Sequence, residues 1–207
     1  MKIVKQSAEL VWVTPDAAKM IEAAGRTCYK SEDKITEDSS VKFVEMIAQR
    51  NHVSVLEHAS ASFRVVCDRG VSHEICRHRL ASYSQESTRY CNYGKDKFGN
   101  EITLIEPPDL KAPDRADWEF AVEMAEKSYL AMLGRGVSPQ IARSVLPTCL
   151  KTELVWTANF REWKHILKLR TSAAAHPQMR EVALIIGRKL HEICPCVFPE
   201  AYNVQNL

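Results

Sequence analysis

The densest group of reactive side chains lies in Arg77-His78-Arg79-Leu80-Ala81-Ser82-Tyr83-Ser84-Gln85-Glu86-Ser87-Thr88-Arg89. Two guanidinium groups flank an imidazole, and after seven further residues a hydroxyl pair precedes another arginine. A solvated basic face needs neither the alternating Ser and Tyr nor the Ser-Thr-Arg end. Phosphate oxygens do: they accept from fixed guanidinium forks and small hydroxyls. The stretch therefore reads as an anion-binding site. Three further groups carry chemistry. His52-Val53-Ser54-Val55-Leu56-Glu57-His58 holds two histidines six apart. That is not the i, i+4 placement that puts two metal ligands on one helix face, so alone it reads as a polar loop before a strand. Arg143 stands among Ala142, Ser144 and Val145, where a solvent-side arginine is as good a reading as a ligand. Arg161 and His165 share a helix face, with Arg170 at its far end. Without other context these and Lys164 and Lys168 read as a solvated basic face.

The elements that must hold these residues follow from pattern. Lys2 to Val13 reads as a strand or extended arm. Thr14-Pro15-Asp16 reads as a helix start with a hydroxyl cap, and the helix, with Met20, Ile21 and Ala24 apolar, ends near Gly25. Val41, Val44, Ile47 and Ala48 mark a second helix over 40–50. Ala59 to Cys67 alternates as a strand. Asp68-Arg69-Gly70 is a turn, and Ser72 is the expected cap of a helix from Val71 to Leu80 that delivers Arg77, His78 and Arg79. An irregular loop is expected from there to Tyr93. Ile102 to Ile105 is a short strand, and 113–133 a long helix with Trp118, Ala121, Val122, Ala125, Tyr129 and Met132 on one face, closed by Gly134-Arg135-Gly136. Ser138-Pro139 opens a short helix. Leu150 to Ala158 alternates as a strand, Asn159 caps the next helix, and Pro177 opens the last, which Pro195 stops. Helices of varied length between strands point to an α+β fold with a central, mostly antiparallel sheet. One domain over 1–207 is the expectation, without repeats or linkers.

Composition narrows the function. The chain has 207 residues, 45% apolar and 26% charged, with a net charge of +2. That balance is globular and argues against bulk electrostatic binding to nucleic acid or membrane. No apolar run approaches the ~18 residues of a membrane span, and the first residues lack a signal-peptide pattern. Seven scattered cysteines do not read as a disulfide framework; reduced thiols in a cytoplasm are the expectation. His191-x-x-Cys194-x-Cys196 is half a metal site with no second half, and no metal is expected.

Arg-His-Arg, seven residues, then Ser is similar to the signature of the flavin-dependent thymidylate synthases. The His52–His58 loop, Ala142-Arg143-Ser144-Val145-Leu146-Pro147, Asn159 to Arg170 and His176-x-Gln178 resemble further blocks of that family in the same order. The resemblance runs from about Arg26 to Glu192. It implies conversion of dUMP to dTMP with FAD, NADPH as reductant and 5,10-methylenetetrahydrofolate as one-carbon donor. It also implies a homotetramer whose active sites draw on several subunits, with no nucleic acid or membrane partner. By resemblance, Ser54, Arg77, His78, Arg79, Gln85, Asn159, Arg161 and His165 bind the flavin. Glu74, Arg77, Gln85, Glu86, Ser87, Thr88, Arg89 and Arg143 bind dUMP, with Arg89 and Arg143 on its phosphate. Arg170 binds the pyrimidine as the catalytic cation, since a fixed cation beside a ring nitrogen stabilises developing negative charge. Cys28 stands where many members have a flavin-contacting serine, and that contact is not carried over.

Ser87 among arginines reads as a phosphate ligand rather than a nucleophile, and Cys76, Cys91 and Cys149 read as packing thiols. The rival class is a non-catalytic nucleotide- or RNA-binding module with Tyr83, Tyr90 and Tyr93 as stacking platforms. A third class is a zinc hydrolase built on His52, His58, His73 and His78. The sequence has no glycine-rich dinucleotide fingerprint.

Overall fold

A computed structural model describes residues 1–199. In chain order it contains β1 (Lys2–Val4), β2 (Ser7–Val13), α1 (Ala17–Thr27), α2 (Ser39–Gln49), β3 (Ser60–Asp68), α3 (Arg69–Ile75), β4 (Ala81–Gln85), β5 (Thr103–Ile105), α4 (Asp114–Gly134), α5 (Pro139–Ala142), β6 (Lys151–Asn159), α6 (Phe160–Arg170) and α7 (Pro177–Ile193), with short 3-10 turns between. This is an α+β architecture. Four strands form one sheet in the order β2-β3-β6-β4, and β1 pairs with β5 in a second. The first sheet is antiparallel where its ends meet: Thr14 after β2 bonds to Ser60 at the start of β3, and Phe160 after β6 bonds to Ala59 before β3. The small pair is parallel, with Ile3 opposite Leu104. Among the described residues no helix is long and apolar enough to cross a membrane.

The described chain divides into two compact units whose boundaries fall within strands. The first comprises Met1–Ser7, Val66–Cys76 and Ser84–Leu154. Its core gathers Tyr93, Ile102, Leu104, Val122, Tyr129 and Leu150. Tyr129 is fully buried and its hydroxyl accepts the Tyr93 N–H at 3.3 Å, so the long helix is tied to the segment after the signature loop. Of the apolar face expected on α4, only Val122 and Tyr129 are buried. The helix runs through Gly134, and Gly136 then takes a left-handed φ of 86°, a conformation that costs glycine nothing.

The second unit comprises Ala8–Val65, Arg77–Tyr83 and Val155 onward. Its core is aromatic: the Trp156 and Trp163 rings pack with centroids 4.7 Å apart at a 53° tilt, and Phe63 meets Trp163 edge-on at 5.3 Å. Trp163 gives its indole N–H to the Ala61 carbonyl at 3.1 Å, which keeps that donor paired. Burial along β6 alternates strictly, with Thr152, Leu154, Trp156 and Ala158 inward, as its sequence pattern demands.

Three local expectations fail for identifiable reasons. The Thr14 hydroxyl does not cap α1, because it bonds to Ser60 instead; the N-cap is Asp16 in a left-handed conformation without a side-chain bond. Asp68, not Ser72, caps α3, its carboxylate accepting the Val71 N–H at 2.6 Å. The helix therefore starts earlier and ends at Ile75, ahead of Arg77. The expected loop before Tyr93 contains β4, which the pairing with β6 imposes on a polar Ser-Tyr-Ser-Gln run.

Candidate functional site

The candidate residues fall into two groups, one in each unit. In the first unit, Asp68 fixes the start of α3, and the N–H groups of Arg69 and Gly70 bond to the Thr148 carbonyl. That places Arg69 and His73, one helical turn apart, around a cavity of about 270 Å³ with Thr88, Arg143, Ser144 and Thr148. Arg143 does not simply face water: its Nη1 donates to the buried Thr88 Oγ1 at 3.1 Å. The lining carries two guanidinium groups, an imidazole and hydroxyls, and among the described residues no carboxylate. This donor set suits a small dianion such as a phosphate monoester.

The rest of the signature loop is sorted by its partners. The Ser87 carbonyl accepts from the N–H groups of Tyr90 and Cys91, closing a turn. Arg89 is exposed, with its guanidinium over Tyr90 at 5.4 Å. It is not part of the cavity lining. Glu86 is tied back by the Tyr93 hydroxyl at 2.7 Å and Lys151 at 3.2 Å. Gln85 turns the other way, its amide bonding to Ser72 and Thr152. Glu74 is half-buried on α3.

In the second unit the His52–His58 stretch forms a 3-10 turn. Ser54 and His52 line a cavity of about 580 Å³ with Arg26, Lys34, Phe43 and Arg50. Arg26 is held at 2.9 Å by the buried Glu22 carboxylate and lies 4.5 Å over the Phe43 ring. A second cavity, of about 470 Å³, is lined by Asn159, Arg161, His165, Glu57 and Leu80. Asn159 caps α6 as expected, its Oδ1 accepting the Glu162 N–H at 2.9 Å. Arg161 pairs with Glu57.

His78 is the buried member of the Arg-His-Arg group, while Arg77 and Arg79 are exposed. Its Nε2 accepts a hydrogen bond from Arg170 Nε at 3.0 Å, and its Nδ1 lies 3.7 Å from Glu162 Oε1. A ring nitrogen that accepts from a guanidinium must carry a lone pair, so the proton sits on Nδ1. Burial, reinforced by the charges of Arg170 and His165, lowers the His78 pKa to about 4. Burial raises the pKa of Glu162 above the usual carboxylate range.

Among the described residues one trio could hold a metal: ligand atoms of His78, Glu162 and His165 lie within 4.8 Å of one another. The Arg170 guanidinium occupies the second nitrogen of that imidazole and opposes a cation. This trio is not the set of His52, His58, His73 and His78 considered from sequence. Burial raises the thiol pKa of Cys91 and Cys149, which lowers their thiolate character; Cys76 is exposed and is therefore not the packing thiol expected from sequence. Of the three candidate stacking platforms, Tyr83 packs on Trp156 and Tyr93 is buried; Tyr90 is 78% exposed. The stacking module is therefore not supported. Sequence reasoning missed Arg69, Arg26 and Glu162. Arg69 follows directly on a strand end, a position that favours binding residues; the other two carried no local signal.

Comparison with known proteins agrees with this picture. The family described as "Thymidylate synthase complementing protein" matches residues 9–196. A flavin-dependent thymidylate synthase of Geobacter sulfurreducens is 33% identical over 197 residues, covering 91% of this chain and 83% of that protein. One of Mycobacterium avium is 34% identical over 195 residues, covering 87% and 78%. In fold, the chain is similar to the UMP/dUMP methylase PolB from Streptomyces cacaoi, solved with 5-Br dUMP, at a TM-score of 0.80, 24% identity and 96% coverage of both chains. The chain belongs to the thymidylate synthase complementing protein family, the family of the flavin-dependent thymidylate synthases.

Proposed function

We propose that this protein converts dUMP to dTMP, taking the one-carbon unit from 5,10-methylenetetrahydrofolate and reducing equivalents from NADPH through FAD. The observation that carries the reading is the first unit's cavity, where signature residue Thr88 and Arg143 meet with Arg69 and His73. It fits the phosphate of a nucleoside monophosphate. The solved neighbour's bound 5-Br dUMP supports a uridylate in that role.

The second unit fits a dinucleotide flavin by the chemistry of its donors. Arg26, Lys34, Arg50 and His52 surround the larger cavity and supply cations for phosphates, while Phe43 supplies an aromatic face. Asn159, Arg161 and His165 line the other, with Ser54, Arg77, His78 and Arg79 assigned to the same ligand. Bound flavin supplies the hydride that completes the new methyl group. The protein's own part is electrostatic. Glu74, Gln85, Ser87 and Arg89 join Thr88 and Arg143 in holding dUMP. Arg170, oriented by its hydrogen bond to the His78 imidazole, stabilises negative charge that develops on the pyrimidine ring. Glu86, bonded to Tyr93 and Lys151, shapes the loop rather than touching substrate. The working form is a homotetramer of one-domain subunits, its active sites drawn from several of them, in the cytoplasm.

An absorption spectrum after loading with FAD and removing the excess tests the reading. A retained flavin band that bleaches anaerobically with NADPH, faster with dUMP present, and dTMP formed on adding the folate are the expected results. A protein that holds no flavin refutes it.

A further inference from the structure

Glu22 and Arg26 stand about one helical turn apart on α1, and α2 brings Ser39 and Phe43 against them. Glu22 is buried, and both of its carboxylate oxygens are engaged. Oε1 accepts from Arg26 Nε at 3.1 Å and from Nη2 at 2.9 Å, while Oε2 accepts from the Ser39 hydroxyl at 2.7 Å. The Phe43 ring covers one face of the guanidinium at 4.5 Å. Gly25 makes room for that ring, since a Cβ there would stand 2.6 Å from it. Arg26 is thus held along one edge and on one face. A guanidinium carries five N–H donors. Two go to Glu22, and the other three, two on Nη1 and one on Nη2, meet no acceptor among the described residues. They belong to a side chain that lines the 580 Å³ cavity with Lys34, Arg50 and His52, and no carboxylate is part of that lining. A fork fixed in this way beside other cations suits phosphate oxygens. The negative charge of Glu22 opposes a phosphate, so what it contributes is placement.

We propose that Glu22 is a positioning residue that fixes the Arg26 fork for a phosphate of the dinucleotide flavin. The inference rests on the flavin reading above. Side-chain order is what the arrangement supplies: a guanidinium already held by Glu22 and Phe43 loses little further freedom when the phosphate binds.

Fluorescence titration of the flavin-free protein with FAD tests the assignment. Arg26→Lys keeps the charge and a partner for Glu22 but loses the fork, and should weaken FAD binding roughly tenfold. An arginine that served only to pair with Glu22 would tolerate that change. Glu22→Met frees the guanidinium and should weaken binding by about three- to tenfold, the penalty of immobilising one long side chain. Glu22→Gln should bind FAD within about twofold of wild type: its amide oxygen can take both Arg26 bonds, and its amide nitrogen can donate to the Ser39 hydroxyl, whose proton turns to the Thr36 carbonyl. Riboflavin, which has no phosphate, should bind wild type and Arg26→Lys alike. Equal losses for riboflavin and FAD would place Arg26 on the ring and overturn the phosphate assignment. If riboflavin binds too weakly to titrate, the FAD titrations alone decide. Thermal melting checks folding, and if Glu22→Met does not fold, the other two variants carry the comparison. FAD bound as tightly by Arg26→Lys as by wild type overturns the inference, as does a Glu22→Gln loss of tenfold. If wild type holds no FAD at all, the flavin reading itself fails and the inference falls with it.

Discussion

Replacing His78 with glutamine should flatten the acid limb of the protein's stability. In the folded state the imidazole is buried, accepts from Arg170 and stands near His165, which together lower its pKa from 6.5 to about 4. An unfolded chain restores the ordinary value. The sign follows from linkage: between those two values the unfolded state binds a proton that the folded state refuses, so stability falls as pH falls. The contribution is intact above about pH 7, is lost progressively through pH 6 and 5, and levels off below about 4. For these pKa values, moving from pH 7 to pH 5 costs about 2 kcal/mol through this one group. Glutamine keeps an acceptor for Arg170 but takes no proton. Urea unfolding of flavin-free wild type and His78→Gln, at both pH values, gives two differences in which every other titrating group cancels. Wild type should lose about 2 kcal/mol more than the variant. Parallel losses would show that His78 is not held neutral by its surroundings, and the proposed neutral partner for Arg170 would go with it.

Other perturbations separate the roles. Arg143→Ala removes a guanidinium fixed on Thr88, and should weaken dUMP binding roughly ten- to hundredfold, the range of a charge-assisted hydrogen bond, with FAD affinity unchanged by fluorescence titration. Arg170→Ala should abolish dTMP formation while the flavin spectrum of the loaded protein persists; turnover near wild type would remove its assigned role. Asn159→Ala should cost about 1 kcal/mol in urea unfolding through loss of the α6 cap, with Asn159→Asp retaining most of it. Gly25→Ala should destabilise by about 1–3 kcal/mol, because a Cβ there would stand 2.6 Å from the Phe43 ring that carries Arg26. Unchanged melting in that variant would mean that the ring shifts freely.

What could be read from the sequence was whatever is encoded locally. The alternation from Leu150 to Ala158 requires one face of β6 to be buried, and it is. Asn159 caps because an N-cap bond spans only three residues. Arg-His-Arg was visible as a unit, but its division into a buried imidazole and two exposed guanidinium groups was not, since that depends on Arg170, 92 positions away from His78. Glu162 had no local mark either, because its significance is its distance from Nδ1 of His78. The β4 error has the same origin. Ser82, Tyr83, Ser84 and Gln85 have the polarity of a loop, and only pairing, such as Glu86 N–H to the Glu153 carbonyl at 2.8 Å, makes them strand. That pairing matters for chemistry as well as for fold. It fixes where the Gln85 side chain leaves the backbone, and so which hydroxyls meet its amide.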